Sequence, residues 1–432
     1  MTLPVWLPVL AAIPVLLLGE WLTRRWVLLG RFNIPAPVVG GLIVSLALLL
    51  AGVLSSETWR LATKTDAAWW TWLVTIEPEW AERPAKNFTL PLMVGFFTCI
   101  GVNATWSVLR RGSGQVVLFL VAGTALAVAQ NGIGVGVAHL LGVDPLLGLL
   151  CGSMTLTGGH GTALGFAPML EKDGLASASV LGAAAATVGL VAGGLIGGPV
   201  GVRLIRRYRL HPGAGPADHL EGGVTAEAGV LSDLRAFAGA GRVALTHGLL
   251  LLACIKAGAW VSHLIELSGL KFPPHIGAMV LGVIVRNAFD LSGRPWIRSE
   301  TVDVMASICL AFFLTIALMG LNLGELAHAA LPMFVILAVQ VALMAVFATW
   351  ITFRLMGRDY DAAVMAAGHC GFGLGATPNA VANMKSLADR FGPAPRAFLV
   401  IPLVGAVLID FANALNITLF LNLAGGGRGA IP

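Results

Sequence analysis

Two glycine-rich stretches decide the fold class of this chain: Cys151-Gly-Ser-Met-Thr-Leu-Thr-Gly-Gly-His-Gly-Thr-Ala163 and Gly368-His-Cys-Gly-Phe-Gly-Leu-Gly-Ala-Thr-Pro-Asn379. They lie in segments at about 145–175 and 360–392, which are too rich in glycine and polar residues to be ordinary membrane spans. Both segments are also too apolar to be plain loops. We therefore predict two re-entrant loops, which enter the membrane and leave it on the same side.

The composition is that of a membrane protein. Hydrophobic residues make up 57% of the 432 positions and charged residues only 11%, whereas a soluble domain carries about 25% charged residues. A spanning helix needs roughly 20 mostly apolar residues. Ten such runs begin near Leu3, Pro37, Leu90, Val116, Ser177, Ala244, Pro273, Met305, Leu331 and Ala397. The sequence therefore predicts an all-α polytopic membrane protein that contacts the lipid bilayer.

The basic residues indicate the orientation of the chain. If the N-terminus is outside, most of the 27 Lys and Arg residues fall in loops on the inner side, as the positive-inside rule requires. We predict both termini on the periplasmic side of a bacterial inner membrane. This topology also explains the net charge of +5, which therefore does not indicate nucleic-acid binding. The stretch from Trp59 to Trp80 is typical of an interfacial segment, and we interpret Lys256, within a span, as a snorkelling lysine.

The two halves of the chain repeat each other. An alignment of the two halves that places Asp144 opposite Asp359 also places Gly158 opposite Gly373. Each half has five spans, an odd number, so the second half must have inverted topology. Inverted repeats are typical of secondary transporters, whose substrate site lies near the midplane, although channels also carry re-entrant loops. The predicted organisation is a first repeat at 1–201, a cytoplasmic linker at 202–243 and a second repeat at 244–432.

The glycine-rich stretches carry the chemistry of a transport site. Backbone that leaves helical geometry at membrane depth exposes carbonyl groups to Na⁺, and half-helix N-termini present N–H groups to a carboxylate. Glycine allows such backbone and removes side chains that would block a ligand. Further oxygens and donors in these stretches come from Ser153, Thr155, Thr157, Thr162, Thr377 and Asn379.

Other polar residues lie within the predicted spans. Asp410 in the last span is expected to face a lumen or a partner, since a charge at the helix centre costs about 2.5–3.5 kcal/mol on insertion scales. His160 and His369 lack accompanying carboxylates or thiolates, so we interpret them as neutral hydrogen-bonded histidines and not as metal ligands. No catalytic motif such as HExxH is present, which favours a transporter over an intramembrane protease. Weaker candidates, because amides often only join helices, are Asn103, Gln130, Asn131 and Asn322.

The motifs resemble those of the bacterial sodium/glutamate symporters. The resemblance rests on Leu156-Thr-Gly-Gly-His-Gly-Thr162, Ala367-Gly-His-Cys-Gly-Phe-Gly-Leu-Gly-Ala-Thr-Pro378, Ala382-Asn-Met384 and Met319-Gly-Leu-Asn322. It implies Na⁺-driven uptake of L-glutamate, with Na⁺ as coupling ion and no cofactor. It also implies a homodimer whose transport domain moves against a scaffold. Another organic anion, such as aspartate or citrate, remains an alternative substrate.

The resemblance and the residues together define the candidate site. Substrate carboxylates are expected on backbone N–H groups of both loops, and Na⁺ on loop carbonyls and polar side chains. The predicted substrate-binding residues are Thr157, Gly158, Gly159, His160, Gly161, Thr162, Gly371, Gly373, Gly375, Thr377 and Asn379. The predicted Na⁺ ligands are Asn103, Gln130, Asn131, Ser153, Thr155, Asn322, Asn383, Asp410 and Asn413.

Overall fold

The structure is a computed structural model that describes residues 2–4, 6–55, 60–62, 64–65, 67–82, 86–105, 114–212, 229–268, 274–293, 296–323 and 330–425. Trp59 and the middle of the predicted linker, 213–228, lie outside the described residues. The described chain is helical apart from two pairs of two-residue strands. These are β1 (Thr2–Leu3) parallel to β2 (Arg60–Leu61), and β3 (Lys64–Thr65) antiparallel to β4 (Lys86–Asn87).

The first half of the described chain forms ten helices, and a π-helical turn, Leu150–Met154, continues the eighth of them. The helices are α1 (Trp6–Arg25), α2 (Val27–Arg31), α3 (Ala36–Ser55), α4 (Ala68–Trp72), α5 (Glu77–Glu82), α6 (Leu90–Asn103), α7 (Gly114–Leu140), α8 (Pro145–Leu149), α9 (Gly159–Lys172) and α10 (Ala178–Tyr208).

The described part of the second half forms ten more helices and two further π-helical turns, Ala348–Thr352 and Val404–Leu408. The helices are α11 (Val230–Gly239), α12 (Arg242–Glu266), α13 (Pro274–Leu291), α14 (Ser299–Met319), α15 (Ala330–Phe347), α16 (Phe353–Leu355), α17 (Tyr360–Gly373), α18 (Thr377–Phe391), α19 (Pro395–Leu403) and α20 (Ile409–Gly425).

Seven helical segments of the described chain are long and apolar enough to span a membrane: α1, α3, α7, α10, α12, α14, and α15 with its continuation to Leu355. Shorter apolar helices are α6, α8 with its π-helical turn, and most of α20. Exposed leucines such as Leu46, Leu50 and Leu54 on α3 are typical of a surface that faces lipid. The prediction of an all-helical, multi-pass membrane protein is confirmed.

The chain divides into two compact units. The first consists of Met1–Thr105 and Ala228–Ala327, and the second of Trp106–Glu227 and His328–Pro432. Each unit therefore takes one segment from each half of the sequence. Both glycine-rich stretches belong to the second unit.

Helices of the first unit pack closely where glycines meet the backbone of a neighbour. A Cβ added at Gly40 on α3 would lie against the carbonyl of Val15 on α1, and one at Gly101 on α6 would overlap the carbonyl of Met279 on α13. Membrane helices associate through such small residues because they allow the backbones to approach. The glycines of the first unit therefore have a packing role.

Four glycines of α10 form a stripe that contacts the second glycine-rich stretch within the second unit. A Cβ added at Gly193 would lie 3.0 Å from the carbonyl oxygen of Cys370. At Gly197 it would overlap the side chain of Asn383 and lie 2.8 Å from the carbonyl oxygen of Ala367. The stripe recurs every four positions, at Gly189, Gly193, Gly197 and Gly201.

This stripe predicts different effects for two adjacent substitutions. Gly197→Ala should lower the free energy of unfolding by about 1–3 kcal/mol, because the added methyl group overpacks the contact with Asn383. Gly198→Ala is the matched control, since nothing lies within 4 Å of a Cβ at that position. Thermal unfolding of the purified protein in detergent measures both. Equal stability of the two variants would contradict the close contact.

Candidate functional site

The first glycine-rich stretch forms a broken helical hairpin. One arm is α8 with its π-helical turn, the other is α9, and residues 155–158 between them are not helical. Gly152 departs from helical geometry at φ −92° and ψ −140°, and Gly159 has φ +64°. A positive φ is costly for a residue with a Cβ. Glycine at 159 therefore allows the chain to turn into α9.

The second glycine-rich stretch has a similar construction. Its arms are α17 and α18, with residues 374–376 between them. A Cβ added at Gly371 would overlap the backbone of Ala380, so the two arms touch at this glycine. Pro378 lies in the first turn of α18, where a missing N–H breaks no helical hydrogen bond. Both stretches thus interrupt helices and are not plain loops.

The arms of the two hairpins differ at their N-termini. The first arms, α8 and α17, follow Asp144 and Asp359, whose carboxylates accept hydrogen bonds from the N–H groups of Leu146 (2.9 Å) and Ala362 (2.8 Å). The second arms, α9 and α18, begin at the breaks without a side-chain cap. Uncapped helix N-termini leave N–H donors unsatisfied and carry partial positive charge. Each break is therefore suited to bind an anionic group.

Gln130 on α7 joins the two breaks. Its side-chain oxygen accepts a hydrogen bond from Thr157 Oγ1 (2.7 Å), and its Nε2 donates to the carbonyl of Gly373 (2.7 Å). A Cβ added at Gly159 would lie 3.0 Å from the carbonyl oxygen of Gly375. The tips of the two hairpins are therefore neighbours, and their uncapped helix ends lie close together.

Polar side chains of α18 fix this helix to its neighbours in the second unit. Each donates a hydrogen bond to a backbone carbonyl, so these donors are engaged within the protein. The bonds run from Thr377 Oγ1 to Gly405 (2.8 Å), from Asn379 Nδ2 to Leu190 (2.7 Å) and from Asn383 Nδ2 to Gly193 (3.0 Å).

A second polar cluster surrounds Ser153 in the π-helical turn of the first hairpin. The N–H of Ser153 donates to Asn131 Oδ1 (2.8 Å), and its carbonyl accepts from Asn413 Nδ2 (3.0 Å). Among the described residues, Ser153 Oγ, Asn413 Oδ1 and both amide atoms of Asn416 are buried without a hydrogen-bond partner. Buried polar atoms are nearly always paired, and hard cations prefer oxygen ligands. This Ser153 cluster is therefore a candidate cation site.

Comparison with known proteins identifies the family. The model for the sodium/glutamate symporter family matches residues 1–67 and 82–393. The chain belongs to the sodium/glutamate symporter family. Its relatives include the sodium/glutamate symporters of Escherichia coli (strain K12) and Shigella flexneri, each 41% identical over 418 residues, or 96% of both chains. That of Haemophilus influenzae is 40% identical over 93% of both chains. No solved structure matches this chain.

Membership of the symporter family confirms the resemblance that the glycine-rich motifs predicted. Proteins of this family are transporters and not enzymes, and Na⁺ serves them as a coupling ion and not as a bound cofactor. The family model leaves out residues 68–81 of this chain. That segment lies within the tryptophan-rich stretch.

The structure separates some of the symporter's predicted Na⁺ ligands. Asn103 and Asn322 belong to the first unit, where Asn103 Nδ2 donates to Asp303 Oδ1 (2.6 Å). Asp410 is the second residue of α20 and is partly buried. Within the described ranges, no hydrogen bond or ion pair involves its carboxylate. Thr155 Oγ1 donates to a carbonyl of its own helical turn (2.8 Å).

The two histidines of the glycine-rich stretches contact threonines. His160 Nε2 lies 2.9 Å from Thr187 Oγ1 on α10, and His369 Nδ1 lies 2.8 Å from Thr352 Oγ1. The ring of His369 also stacks on Phe372, with 4.8 Å between centroids. Over the part of the chain that the structure describes, no group of three or more His, Cys, Asp or Glu residues could hold a metal ion. Both histidines therefore join helices.

The sequence interpretation missed Asn416, whose amide atoms are buried without a hydrogen-bond partner among the described residues. Asn413 and Asn416 are three residues apart on α20, so their side chains lie on the same face of the helix. That spacing of two amides in an apolar span was the signal available. The spacing became informative only because the structure shows that Asn413 contacts Ser153.

The bridge between the hairpin tips predicts a stability effect. Gln130→Leu should lower the free energy of unfolding by about 1–3 kcal/mol, because it leaves the buried Gly373 carbonyl without its donor. The control is Thr124→Val on the same helix, whose hydroxyl donates only to the carbonyl of Leu120 (2.8 Å). Thermal unfolding in detergent is the measurement. A Gln130 variant as stable as the control would show that the bridge does not hold the tips.

Proposed function

We propose that this chain carries L-glutamate together with Na⁺ across the bacterial inner membrane. The observation that carries this proposal is the pair of uncapped helix N-termini at the breaks that Gln130 joins. L-Glutamate has two carboxylates, and two helix N-termini within one site offer N–H donors to both. The names of the related symporters support the same substrate and ion.

The substrate carboxylates bind the backbone N–H groups in the first turn of α9 and the N–H group of Thr377 at the start of α18, because Pro378 has no N–H and that of Asn379 donates to Ala376 (3.1 Å). The glycines at 159 and 161 leave the N–H groups of α9 free of covering side chains. Thr162 stands in the first turn of α9 and supplies a hydroxyl group beside the carboxylate, whereas the hydroxyl of Thr377 donates to the carbonyl of Gly405 (2.8 Å) and holds the start of α18 in place. The predicted substrate-binding residues between 157 and 162, and between 371 and 379, remain the residues of this site.

Na⁺ binds the Ser153 cluster. Ser153 Oγ, Asn413 Oδ1 and Asn416 Oδ1 are the neutral oxygens that support this assignment, because all three are buried without hydrogen bonds among the described residues. Asp410 lies three residues before Asn413 on α20 and so on the same helix face. It adds a negative charge that offsets the charge of Na⁺.

Both ligands move with the second unit. The two breaks and the Ser153 cluster all belong to this unit, so it is the transport domain of an elevator-like mechanism and the first unit is the scaffold. Occupation by both ligands allows the transport domain to change sides, whereas Na⁺ alone does not. The working protein is a homodimer.

The transport domain contains re-entrant hairpins from two inverted repeats, at 1–201 and 244–432. Asp144 and Asp359 support this, because the sequence repeat aligns them and both cap the first arm of a hairpin. Each repeat also contributes helices to both units. The termini lie in the periplasm, and the linker at 202–243 lies in the cytoplasm.

Reconstituted protein should accumulate radiolabelled L-glutamate. Liposomes with an inward Na⁺ gradient should take up glutamate above its equilibrium level, because the Na⁺ gradient supplies the free energy. The control replaces Na⁺ with K⁺ at equal ionic strength. Competition by aspartate or citrate tests the alternative anions. Conductance without accumulation would indicate a channel and overturn the proposal.

Asn416→Leu should separate Na⁺ binding from stability. The Na⁺ concentration for half-maximal uptake should rise about tenfold, which corresponds to about 1.4 kcal/mol of lost binding. The thermal stability should be kept, because the variant removes a buried amide that has no hydrogen bond within the described chain. The control is Thr418→Val, whose hydroxyl donates only to Ala414 (2.8 Å). An unchanged Na⁺ dependence in the Asn416 variant would place Na⁺ elsewhere.

Asp410→Asn tests the carboxylate in the same way. Loss of the negative charge should weaken Na⁺ binding and shift uptake to higher Na⁺ concentration, while maximal glutamate uptake at saturating Na⁺ is retained. Uptake is measured as a function of Na⁺ concentration at fixed glutamate. If the Na⁺ dependence is the same as that of the unmodified protein, Asp410 has no role in coupling.

A further inference from the structure

Lys256 of α12 binds the tryptophan-rich segment at 67–82, which we name the Trp segment. Its Nζ donates hydrogen bonds to the carbonyls of Trp72 (3.0 Å) and Thr75 (2.7 Å). The same nitrogen forms an ion pair with Glu77 Oε1 (2.9 Å) and lies 3.9 Å from the centroid of the Trp72 ring. An ammonium group has three N–H donors, and all three have an acceptor here. The lysine is therefore a fixed attachment point and does not snorkel to water.

The Trp segment is ordered by its own contacts as well. Trp80 Nε1 donates to Thr71 Oγ1 (2.9 Å), and Trp70 Nε1 donates to the carbonyl of Phe88 (2.8 Å). Thr71 is fully buried. The family model does not include residues 68–81. The Trp segment is thus a small folded part of the first unit that lies between the two stretches matched by the family model.

The position of Lys256 sets the depth of the Trp segment. Lys256 lies ten residues before the end of α12 at Glu266, or about 15 Å along the helix axis. The carbonyls that it binds therefore lie beside the span, below its end. Trp260, on the next turn of α12, is 40% exposed, and Leu264 is 63% exposed. Exposed apolar side chains on this part of a spanning helix are typical of a surface that faces lipid.

We propose that the Trp segment is a lipid-docking strap, held by Lys256 so that Trp69 and Trp72 insert among the lipid head groups and anchor the first unit. Trp69 is 72% exposed and Trp72 is 41% exposed. Indole rings are favoured at the bilayer interface because they are apolar with one polar N–H. Trp260 extends the same aromatic surface from the spanning helix.

The surface beside the strap favours lipid over a second copy of the chain as the occupant. Trp260 and Leu264 of α12 are exposed on a helix that is long and apolar enough to span a membrane, and such a surface is typical of contact with lipid. The acidic side chains of the strap are each paired with a lysine, Glu77 with Lys256 (2.9 Å) and Glu79 with Lys86 (2.5 Å), so their charges do not oppose contact with lipid head groups.

Fluorine NMR of the fluorotryptophan-labelled protein in phosphatidylcholine vesicles tests the proposal. The signal absent from a Trp69→Phe variant belongs to Trp69. It should be broadened strongly by lipid with a nitroxide near the head group, and weakly by a nitroxide at the chain end or by a water-soluble paramagnetic agent. In Lys256→Met the protection from the water-soluble agent should be lost. Lys86→Met is the matched control, since Lys86 pairs with Glu79 alone (2.5 Å) and its loss should leave the pattern unchanged.

Three results would overturn the proposal. Broadening of the Trp69 signal by the water-soluble agent in the unmodified protein would place the strap in water. Resistance to all three agents would show that protein, such as a second copy, covers Trp69. An unchanged pattern in Lys256→Met, with sharp signals from the other tryptophans as proof of folding, would show that Lys256 does not set the position of the strap.

Discussion

A broken helix leaves backbone N–H and C=O groups without their helical partners, and the second unit contains two such breaks. A buried polar group that stays unsatisfied costs free energy, so other partners for these groups stabilise the breaks. Side-chain amides from the neighbouring helices supply them, because an amide can donate and accept at once. The amides that bond to backbone groups of the interrupted stretches are Gln130, Asn131 and Asn413. Those of Gln340, Asn379 and Asn383 bond to carbonyls of the continuous helices α7 and α10.

The two arms of each hairpin differ in the capping of their helix N-termini. A side-chain cap is worth about 1 kcal/mol, and the chain uses Asp144 and Asp359 to cap the two helix ends away from the breaks. The two ends at the breaks have no side-chain cap, although Ser, Thr or Asp there would stabilise them. Two side-chain caps at these ends would add about 2 kcal/mol of stability. A bound carboxylate could accept the same hydrogen bonds.

Local features were predictable from the sequence, and features that depend on distant contacts were not. The breaks at Gly152 and Gly159 follow from glycine content, and the spans follow from apolar length. The division into two units could not be predicted, because each unit combines separate segments from both halves. No local sequence pattern shows which helices pack against each other. Lys256 illustrates the same limit, since a lysine in a span gives no sign of the carbonyls it binds. For Asn416, the sequence signal was its spacing of three residues from Asn413.

The three π-helical turns, Leu150–Met154, Ala348–Thr352 and Val404–Leu408, all belong to the second unit. Ala348–Thr352 and Val404–Leu408 each continue directly into a further helix. Each closes its hydrogen bonds one residue later than an α-helical turn, so it accommodates an extra residue within a continuing helix. Loss of one residue at either turn would convert it to α-helical geometry, so the chain length can change by one residue at these two places while the helix continues.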